Sequence, residues 1–261
     1  MLPLTVDSVL HKSEIPKLPE SYRRLVNAVD AHDQAGVGAI LREEAGLAEW
    51  LLSLANSALF QFSAPFDNVD DAAAAIGLAQ VRDLLLGAVV VRLLGALAPD
   101  IVSAQAFWRH NVACGIVARN IAAQRGEANI ERFFLAGLLH DIGSLFLYRH
   151  ISERNLIQLL HSRDVKTPLY ELEREVLGFD HAALSGALVR EWGLPEAVWA
   201  GVAHHHAPGS VSEYRLEVAL LHVADLVAVA LECGSSGEYC VPPLVPEAWD
   251  MLGLSIADLP A

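Results

Sequence analysis

The sequence is poor in cysteine and has no long uninterrupted apolar run. The three cysteines among 261 residues, Cys114, Cys233 and Cys240, form no C-x-x-C motif and cannot all pair, so we expect a reducing, cytoplasmic location. The apolar runs Leu84–Val91 and Val218–Leu231 are short or contain polar residues, and neither provides the roughly 20 clean residues of a membrane span. No basic segment precedes an apolar one at the start, so we expect no signal peptide and no membrane insertion.

Basic residues are also scarce. The chain has 18 Lys and Arg against 32 Asp and Glu, which gives a net charge of -14. The acidic excess is spread out, because residues 1–99 hold 7 basic and 12 acidic side chains while residues 100–261 hold 11 and 20. Such a surface repels polyanions, so the sequence argues against nucleic acid and anionic membranes as partners.

Helical periodicity runs through almost the whole sequence, whereas the two-residue alternation of strands is nearly absent. In one segment, for example, Leu47, Leu51 and Leu54 recur on a single face. We therefore predict an all-α, multi-helix bundle. The loop at 98–102 is the predicted boundary between an N-terminal helical subdomain, 1–99, and a C-terminal helical subdomain, 100–261.

Histidine is the residue type present in excess, with eleven in the chain and nine of them at or after position 110. His140 and Asp141 are adjacent within a strongly apolar predicted helix over residues 130–149. Burying both groups costs several kcal/mol unless each is paired or bound to a cation. For this pair alone, a hydrogen-bonded core histidine is the simpler interpretation, and metal binding is the alternative.

Further polar residues in apolar helices favour the metal interpretation. They are spread over several predicted helices and comprise His110, His181, His205, His206, and Asp225 with His222 on its face. Imidazole and carboxylate ligands without thiolate suit Fe, Mn, Zn or Ni. About six such ligands are enough for a two-metal site of the kind used in phosphoester hydrolysis. The sequence thus predicts one or two divalent transition metals.

The other residues with chemical potential receive ordinary interpretations. Ser57 is predicted to be structural, since no base lies near it in the sequence, and the chain has no P-loop, G-x-G-x-x-G or G-x-S-x-G motif. The remaining histidines are predicted to lie in exposed segments, near helix ends or beside the site: His11, His32, His150, His161 and His204.

Several segments together resemble a known family. FFLAGLLHDIGSL, VAHHHAP and LLHVAD resemble the HD superfamily, and AGLAEWLLSLANSALF narrows the resemblance to the HDOD domain (HD-related output domain) of bacterial signalling proteins. The resemblance implies an all-helical, HD-like regulatory or protein-interaction module whose catalytic site has decayed. It also implies kinship with HD phosphohydrolases and HD-GYP cyclic-dinucleotide phosphodiesterases, which hold one or two metals.

The resemblance assigns site residues one by one. His110, His140, Asp141 and Asp225 match the core HD ligands, and the additional HD-GYP histidines match His181, His205 and His206, with His204 and His205 as an alternative pair. Two departures stand out. Ser144 occupies the position of a lysine available to a substrate phosphate, and no Gly-Tyr-Pro follows the histidine pair. Losing such a cation removes stabilisation of developing phosphate charge.

Two functional hypotheses follow. The first is a regulatory signal-transduction module that acts through protein contacts, with a structural or sensory metal centre, no catalytic residue and little or no hydrolase activity. Its N-terminal half would present an interaction face, and its signalling partner would act in trans because no receiver, kinase or cyclase segment is attached. The alternative is a metal-dependent phosphohydrolase or cyclic-dinucleotide phosphodiesterase. The sequence leaves the oligomeric state open.

Overall fold

The computed structural model describes residues 4–44, 46–95, 97, 102–161 and 167–254. Within these ranges the regular secondary structure is entirely helical, which confirms the all-α prediction. The chain divides into two compact units, residues 17–94 and residues 1–16 together with 95–261. The predicted boundary loop at 98–102 lies almost wholly outside the described residues, and separate roles for the two halves stay a prediction.

The helices are numbered in chain order. They are α1 (Val6–Lys12), α2 (Glu20–Asp30), α3 (Gln34–Glu43), α4 (Leu47–Ala55), α5 (Val69–Ile76), α6 (Leu78–Leu94), α7 (Ala104–Gln124), α8 (Glu131–Leu139), α9 (Ile142–His150), α10 (Glu153–His161), α11 (Leu169–Leu177), α12 (His181–Glu191), α13 (Glu196–His204), α14 (Arg215–Ala230) and α15 (Pro246–Leu252). A 3-10 turn at Pro208–Ser210 separates α13 from α14.

The unit of residues 17–94 contains α2 to α6. Asn68 starts α5 by accepting a hydrogen bond from the Asp71 amide, so one of the unpaired amides of the first turn is satisfied. The Ser57 hydroxyl, just after α4, donates to the Leu54 carbonyl at 2.6 Å, in agreement with a structural role. Among the described residues, no single helix has the length and hydropathy of a membrane span, although α5 and α6 qualify together across their 111° bend.

The second unit contains α1 and α7 to α15. In it, α7 packs on α8 and α14, while α12 packs on α9 and α13. Two of these contacts depend on glycine. A Cβ atom on Gly137 would lie 2.6 Å from Gly115 Cα, and one on Gly143 would lie 2.3 Å from the His181 carbonyl oxygen. Because no side chain intervenes, the backbones approach closely and bring polar residues of different helices together.

The predicted continuous helix over residues 130–149 is instead two helices, and this is a correction. α8 ends at Leu139 and α9 begins at Ile142, so His140 and Asp141 lie in the break. Asp141 has φ -106° and ψ 4°, in the bridge region of backbone conformation that many active-site residues occupy. In a continuous helix adjacent side chains diverge by about 100°. The break allows the imidazole and the carboxylate to face the same point.

Candidate metal centre

All seven residues that the sequence singles out meet in the second unit. α7 supplies His110, the α8–α9 break supplies His140 and Asp141, α12 begins with His181, and α14 supplies Asp225. The remaining two, His205 and His206, directly follow α13. Each of the seven residues is at most 8% exposed to solvent. The structure therefore encloses them in the core.

Ligand atoms of the seven residues form two groups, in each of which these atoms lie within 4.8 Å of one another. The four-residue group comprises Asp141, His181, His205 and His206. The three-residue group comprises His110, His140 and Asp225. Each group mixes imidazole nitrogen with carboxylate oxygen, the donor set that divalent transition metals accept.

The Asp141 carboxylate connects the two groups. Its Oδ1 lies 3.1 Å from His181 Nε2, in the four-residue group. Its Oδ2 lies 3.2 Å from His140 Nε2 and 3.6 Å from His110 Nε2, in the three-residue group. Asp225 Oδ1 lies 3.1 Å from the same His110 nitrogen and 3.5 Å from His140 Nε2. Asp141 is thus placed to offer one carboxylate oxygen to a metal ion in each group.

Hydrogen bonds behind the rings orient three of the imidazoles. His140 Nδ1 donates to the Gly137 carbonyl at 2.7 Å, and His205 Nδ1 donates to the Val202 carbonyl at 2.8 Å. His181 Nδ1 donates to a Glu173 carboxylate oxygen at 2.6 Å. Since these acceptors require the proton on Nδ1, the Nε2 lone pair of each neutral ring faces the cluster. Metal-binding histidines are commonly held in this way.

The donor atoms inside the cluster fit a cation. His205 Nε2 and Asp141 Oδ1 are buried and have no hydrogen-bond partner among the described residues. The Nε2 atoms of His181 and His206 lie 2.9 Å apart, and those of His110 and His140 lie 3.3 Å apart. Two neutral rings in this orientation would direct lone pairs at each other, unless a shared proton or a metal ion lies between them. The residues present therefore fit one or two metal ions.

Without an ion, positively charged histidine rings and negatively charged carboxylates in the cluster stabilise one another. Burial opposes the charged ring of His140, yet the adjacent Asp141 raises its pKa well above the usual value. Burial likewise opposes a charged His181, but Glu173 and Asp141 raise its pKa. For the Asp141 carboxyl the two effects have opposite directions to those in the histidines. Burial alone would raise its pKa, whereas His140 and His181 hold the pKa well below the usual range. Because metal ions and protons compete for these nitrogens, metal binding must release protons.

Burial and neighbouring charges also set the pKa values of His205, His206 and Asp225. Burial, reinforced by the nearby His140, lowers the pKa of His205 to about 4. Burial and the neighbouring His205 also lower the pKa of His206. Burial would raise the pKa of Asp225, but its hydrogen bonds with His110 and His140 hold it well below the usual range. His205 and His206 are thus neutral rings at pH 7, the form that binds a metal.

The structure also places the histidines outside the cluster. His204, from the alternative pair, lies 3.4 Å from Ser210 Oγ at the protein surface, so the pair brought into the cluster is His205 and His206. His222 faces away from the groups: its Nδ1 donates to the His205 carbonyl at 2.8 Å, and its Nε2 accepts from the Val245 amide at 3.0 Å. It therefore holds the backbone of a cluster residue.

Three other histidines that were predicted to be ordinary, His11, His32 and His150, belong to neither ligand group. His11 and His32 are exposed. His150 ends α9, where its Nε2 lies 3.0 Å from Ser13 Oγ. His161 ends α10.

Sequence reasoning missed two residues of the site, Glu173 and Tyr170, both on α11. Glu173 is completely buried behind His181. The Tyr170 ring stacks on His206 with centroids 4.2 Å apart and covers the most exposed residue of the cluster. A signal for Glu173 exists, because it follows Leu169 by four residues and Leu172 by one, on the apolar stripe of α11. A carboxylate on such a stripe needs a buried partner.

The chain matches the model of the HDOD domain family over residues 15–208, more than half of its length. The chain belongs to the HDOD domain family. This membership confirms the resemblance carried by the sequence motifs.

Solved structures share the fold of this HDOD chain. An HDOD domain protein from Geobacter sulfurreducens has a TM-score of 0.78 at 23% identity, over 97% of this chain and 88% of the other. A Shewanella amazonensis protein provisionally described as a phosphohydrolase has a TM-score of 0.70 at 22% identity, over 94% and 93%. A provisional signal transduction protein from Marinobacter aquaeolei has a TM-score of 0.67 at 21% identity, over 95% and 55%.

A sequence relative is an uncharacterized protein of Treponema pallidum. It is 25% identical over 219 residues, which cover 82% of this chain. The alignment spans 42% of the length of that relative. At these levels of identity, the structural similarities establish the fold alone.

Proposed function

We propose that this HDOD chain is a regulatory signal-transduction module that acts through protein contacts and holds its metal centre in a structural or sensory role. The observation that carries the proposal is the enclosure of a complete His/Asp cluster. The most exposed of the seven residues, His206, is 8% exposed and lies under the Tyr170 ring. Metal-dependent hydrolysis needs a ligand position that substrate and water can reach.

The chemistry around the cluster supports the same conclusion. A bound divalent ion would supply Lewis acidity and activated water if substrate could reach it. Ser144 replaces the lysine of HD-GYP enzymes and is 1% exposed. Arg174 lies above the Tyr170 ring at 4.9 Å and is paired with Asp180 at 2.6 Å, so its charge is already engaged. Arg174, the cation that lies over Tyr170 in the described part of the chain, is therefore already paired and is not free to bind a phosphate.

The exposed apolar side chains suggest where a partner binds. Four large apolar residues of the segment 231–244 are 45–63% exposed: Leu231, Tyr239, Val241 and Leu244. In the unit of residues 17–94, by contrast, Phe62 at 37% is the large apolar side chain that is most exposed among the described residues. Segment 231–244 contains the exposed Glu232 and no Lys or Arg, and burial raises the pKa of its other acidic residue, Glu238, to about 8. A partner protein with an apolar and basic face fits it.

Segment 231–244 is also hydrogen bonded to helices that carry the metal centre. The Ser235 amide donates to the Ala106 carbonyl at 3.0 Å, one helical turn before His110. Just beyond the segment, the Val245 amide donates to His222, one turn before Asp225. A change in the metal centre would therefore reach the segment through two short connections.

The test has two arms. Protein purified without chelator should contain one or two transition metal ions per chain, and the metal-loaded protein should leave a panel of mono-, di- and cyclic nucleotides unhydrolysed. A photo-crosslinker at position 239, introduced in the native cell, should capture a specific protein that the same probe at position 62 does not. Hydrolysis of a cyclic dinucleotide without any specific partner would contradict the proposal and favour a phosphodiesterase.

The alternative, a metal-dependent phosphohydrolase, is favoured by one observation. The full His/Asp ligand set is assembled, and Asp141 faces both groups as a two-metal site requires. Under this alternative, α11 would have to move so that Tyr170 uncovers His206. Tyr170→Ala would then increase nucleotide hydrolysis by the metal-loaded protein, whereas the regulatory proposal predicts no activity in either form.

A further inference from the structure

We propose that Glu173 is a positioning residue of the metal centre, which holds the His181 ring in the orientation and the Nδ1–H tautomer of a metal ligand. The inference rests on the metal centre proposed above. Glu173 is completely buried, and its two carboxylate oxygens accept three hydrogen bonds. One oxygen accepts from the His181 backbone amide at 2.8 Å and from His181 Nδ1 at 2.6 Å. The other accepts from the Tyr148 hydroxyl at 2.6 Å.

The position of His181 in its helix explains why a carboxylate from another helix is needed. His140 and His205 each donate from Nδ1 to a carbonyl three residues earlier in the chain. His181 is the first residue of α12, so no preceding helical turn offers it a carbonyl. Glu173 on α11 supplies the acceptor instead. A carboxylate is a charged acceptor, and it makes the ring a stronger metal ligand than a neutral carbonyl does.

Tyr148 fixes the carboxylate from the opposite side. It lies on α9, the helix that begins directly after Asp141, and is 3% exposed. Its hydroxyl donates a hydrogen bond to the Glu173 oxygen that does not accept from His181. The carboxylate thus joins α9, α11 and α12 behind the four-residue group, and its orientation is determined by both partners.

A purely structural role for Glu173 is the competing explanation, since it also accepts from a first-turn amide of α12. That role has a natural comparison in Asp180. Asp180 caps the same helix by accepting from the Ala183 amide at 2.8 Å and is 3% exposed, whereas the polar partners of the His181 ring among the described residues are Glu173, Asp141 and His206. Asp180→Asn and Glu173→Gln both exchange a buried carboxylate for an amide at the start of α12. Only Glu173→Gln changes the acceptor of His181 Nδ1.

The experiment is a Co²⁺ titration of the chelator-treated full chain, followed by the visible ligand-field absorption of the bound ion. We expect Glu173→Gln to weaken Co²⁺ binding by the four-residue group by about 10–100-fold and to change its absorption bands. Binding by the three-residue group should persist, so tight binding should fall by one ion. Asp180→Asn should lower thermal stability and leave Co²⁺ affinity and absorption as in the wild type.

Each outcome decides the question. Equal affinity and identical bands in wild type and Glu173→Gln would overturn the positioning role and leave the metal centre standing. Equal losses in Glu173→Gln and Asp180→Asn would also overturn it, because a disturbed helix start would then suffice. A wild-type chain that binds no Co²⁺ would overturn both the metal centre and the inference. If Glu173→Gln does not fold, Tyr148→Phe takes its place: a weaker affinity and shifted bands support the role, and unchanged binding overturns it.

Discussion

The contact between α9 and α12 allows a sharp test of how packing sets the metal centre. Gly143 lies two residues after Asp141, and its position against α12 leaves no room for a side chain. A Cβ atom added there would lie 2.3 Å from the His181 carbonyl oxygen and 2.6 Å from the Ser185 amide nitrogen. Both neighbours are backbone atoms, so they cannot move aside by a change of side-chain rotamer. Gly143→Ala must therefore separate the two helices.

The size of the separation follows from the distances. Ordinary contact begins at 3.4 Å, so the Cβ atom requires about 1.1 Å more space than the 2.3 Å available. The same movement would widen the 3.1 Å distance between Asp141 Oδ1 and His181 Nε2 to about 4 Å. Metal sites tolerate deviations of about 0.2 Å. We expect the four-residue group to lose its ion and the three-residue group to keep its own.

Stability should fall as well, because inserting a methyl group into a packed core costs roughly 1–3 kcal/mol. The replacement of a helical glycine by alanine offsets about 0.5–1 kcal/mol of this. At about 2–4 °C per kcal/mol for a chain of this size, Tm should drop by several degrees. Calorimetry in the presence of a chelator measures this packing effect apart from metal binding, and elemental analysis without chelator measures the ions.

Gly201→Ala is the matched control. It lies in α13, close in sequence to His205, and its nearest neighbour would be the Glu217 carbonyl oxygen at an ordinary 3.5 Å. We expect its metal content to match the wild type and its Tm to be equal or slightly higher. If Gly143→Ala keeps the wild-type metal content and Tm, the close backbone approach does not determine the geometry of the site, and the reasoning is refuted.

Three further predictions concern other parts of the chain. Asp225→Ala should remove the ion of the three-residue group in elemental analysis, whereas His204→Ala, outside the cluster, should remove none; equal losses would contradict the assignment. Burial raises the pKa of Glu238 to about 8, so between pH 4.5 and 8 the folded chain retains a proton that the unfolded chain has lost. Stability should therefore fall over this range by roughly 1–3 kcal/mol, allowing for partial exposure, in chemical unfolding of the metal-free protein; a pH dependence unchanged in Glu238→Gln would refute this. Asn68→Ala should lower the unfolding free energy by about 1 kcal/mol through loss of the α5 cap, with unchanged metal content; an unaltered unfolding midpoint would show that the cap contributes nothing.

Much of the candidate site was predictable because burial of polar groups leaves a trace in the sequence. Asp225 and His110 interrupt apolar helices, where an unpaired charge or ring is costly, and this cost indicated a shared site before any distance was known. Glu173 is likewise a charged residue on the apolar stripe of α11, but one glutamate among the several charged residues of that helix is a weak indication of a buried site. Its partner His181, eight residues later on another helix, is not suggested by any helical spacing.

The break between α8 and α9 was not predictable from a comparable feature of the sequence. The pattern over residues 130–149 predicts one apolar helix because periodicity records which face is buried, and neither His140 nor Asp141 is a helix breaker of the strength of proline. The break forms where the Asp141 carboxylate satisfies rings from several other helices. A tertiary requirement thus overrides a local preference.

By itself, the sequence determined the helical fold class, the family and the identities of seven clustered polar residues, since each depends on residue type and local periodicity. Only the tertiary structure decided that they form two groups joined by Asp141, that Glu173 stands behind one ligand, and that Tyr170 covers another. These properties depend on distances between helices, which Gly137 and Gly143 set through backbone contact. Periodicity along one helix contains no information about the spacing between two.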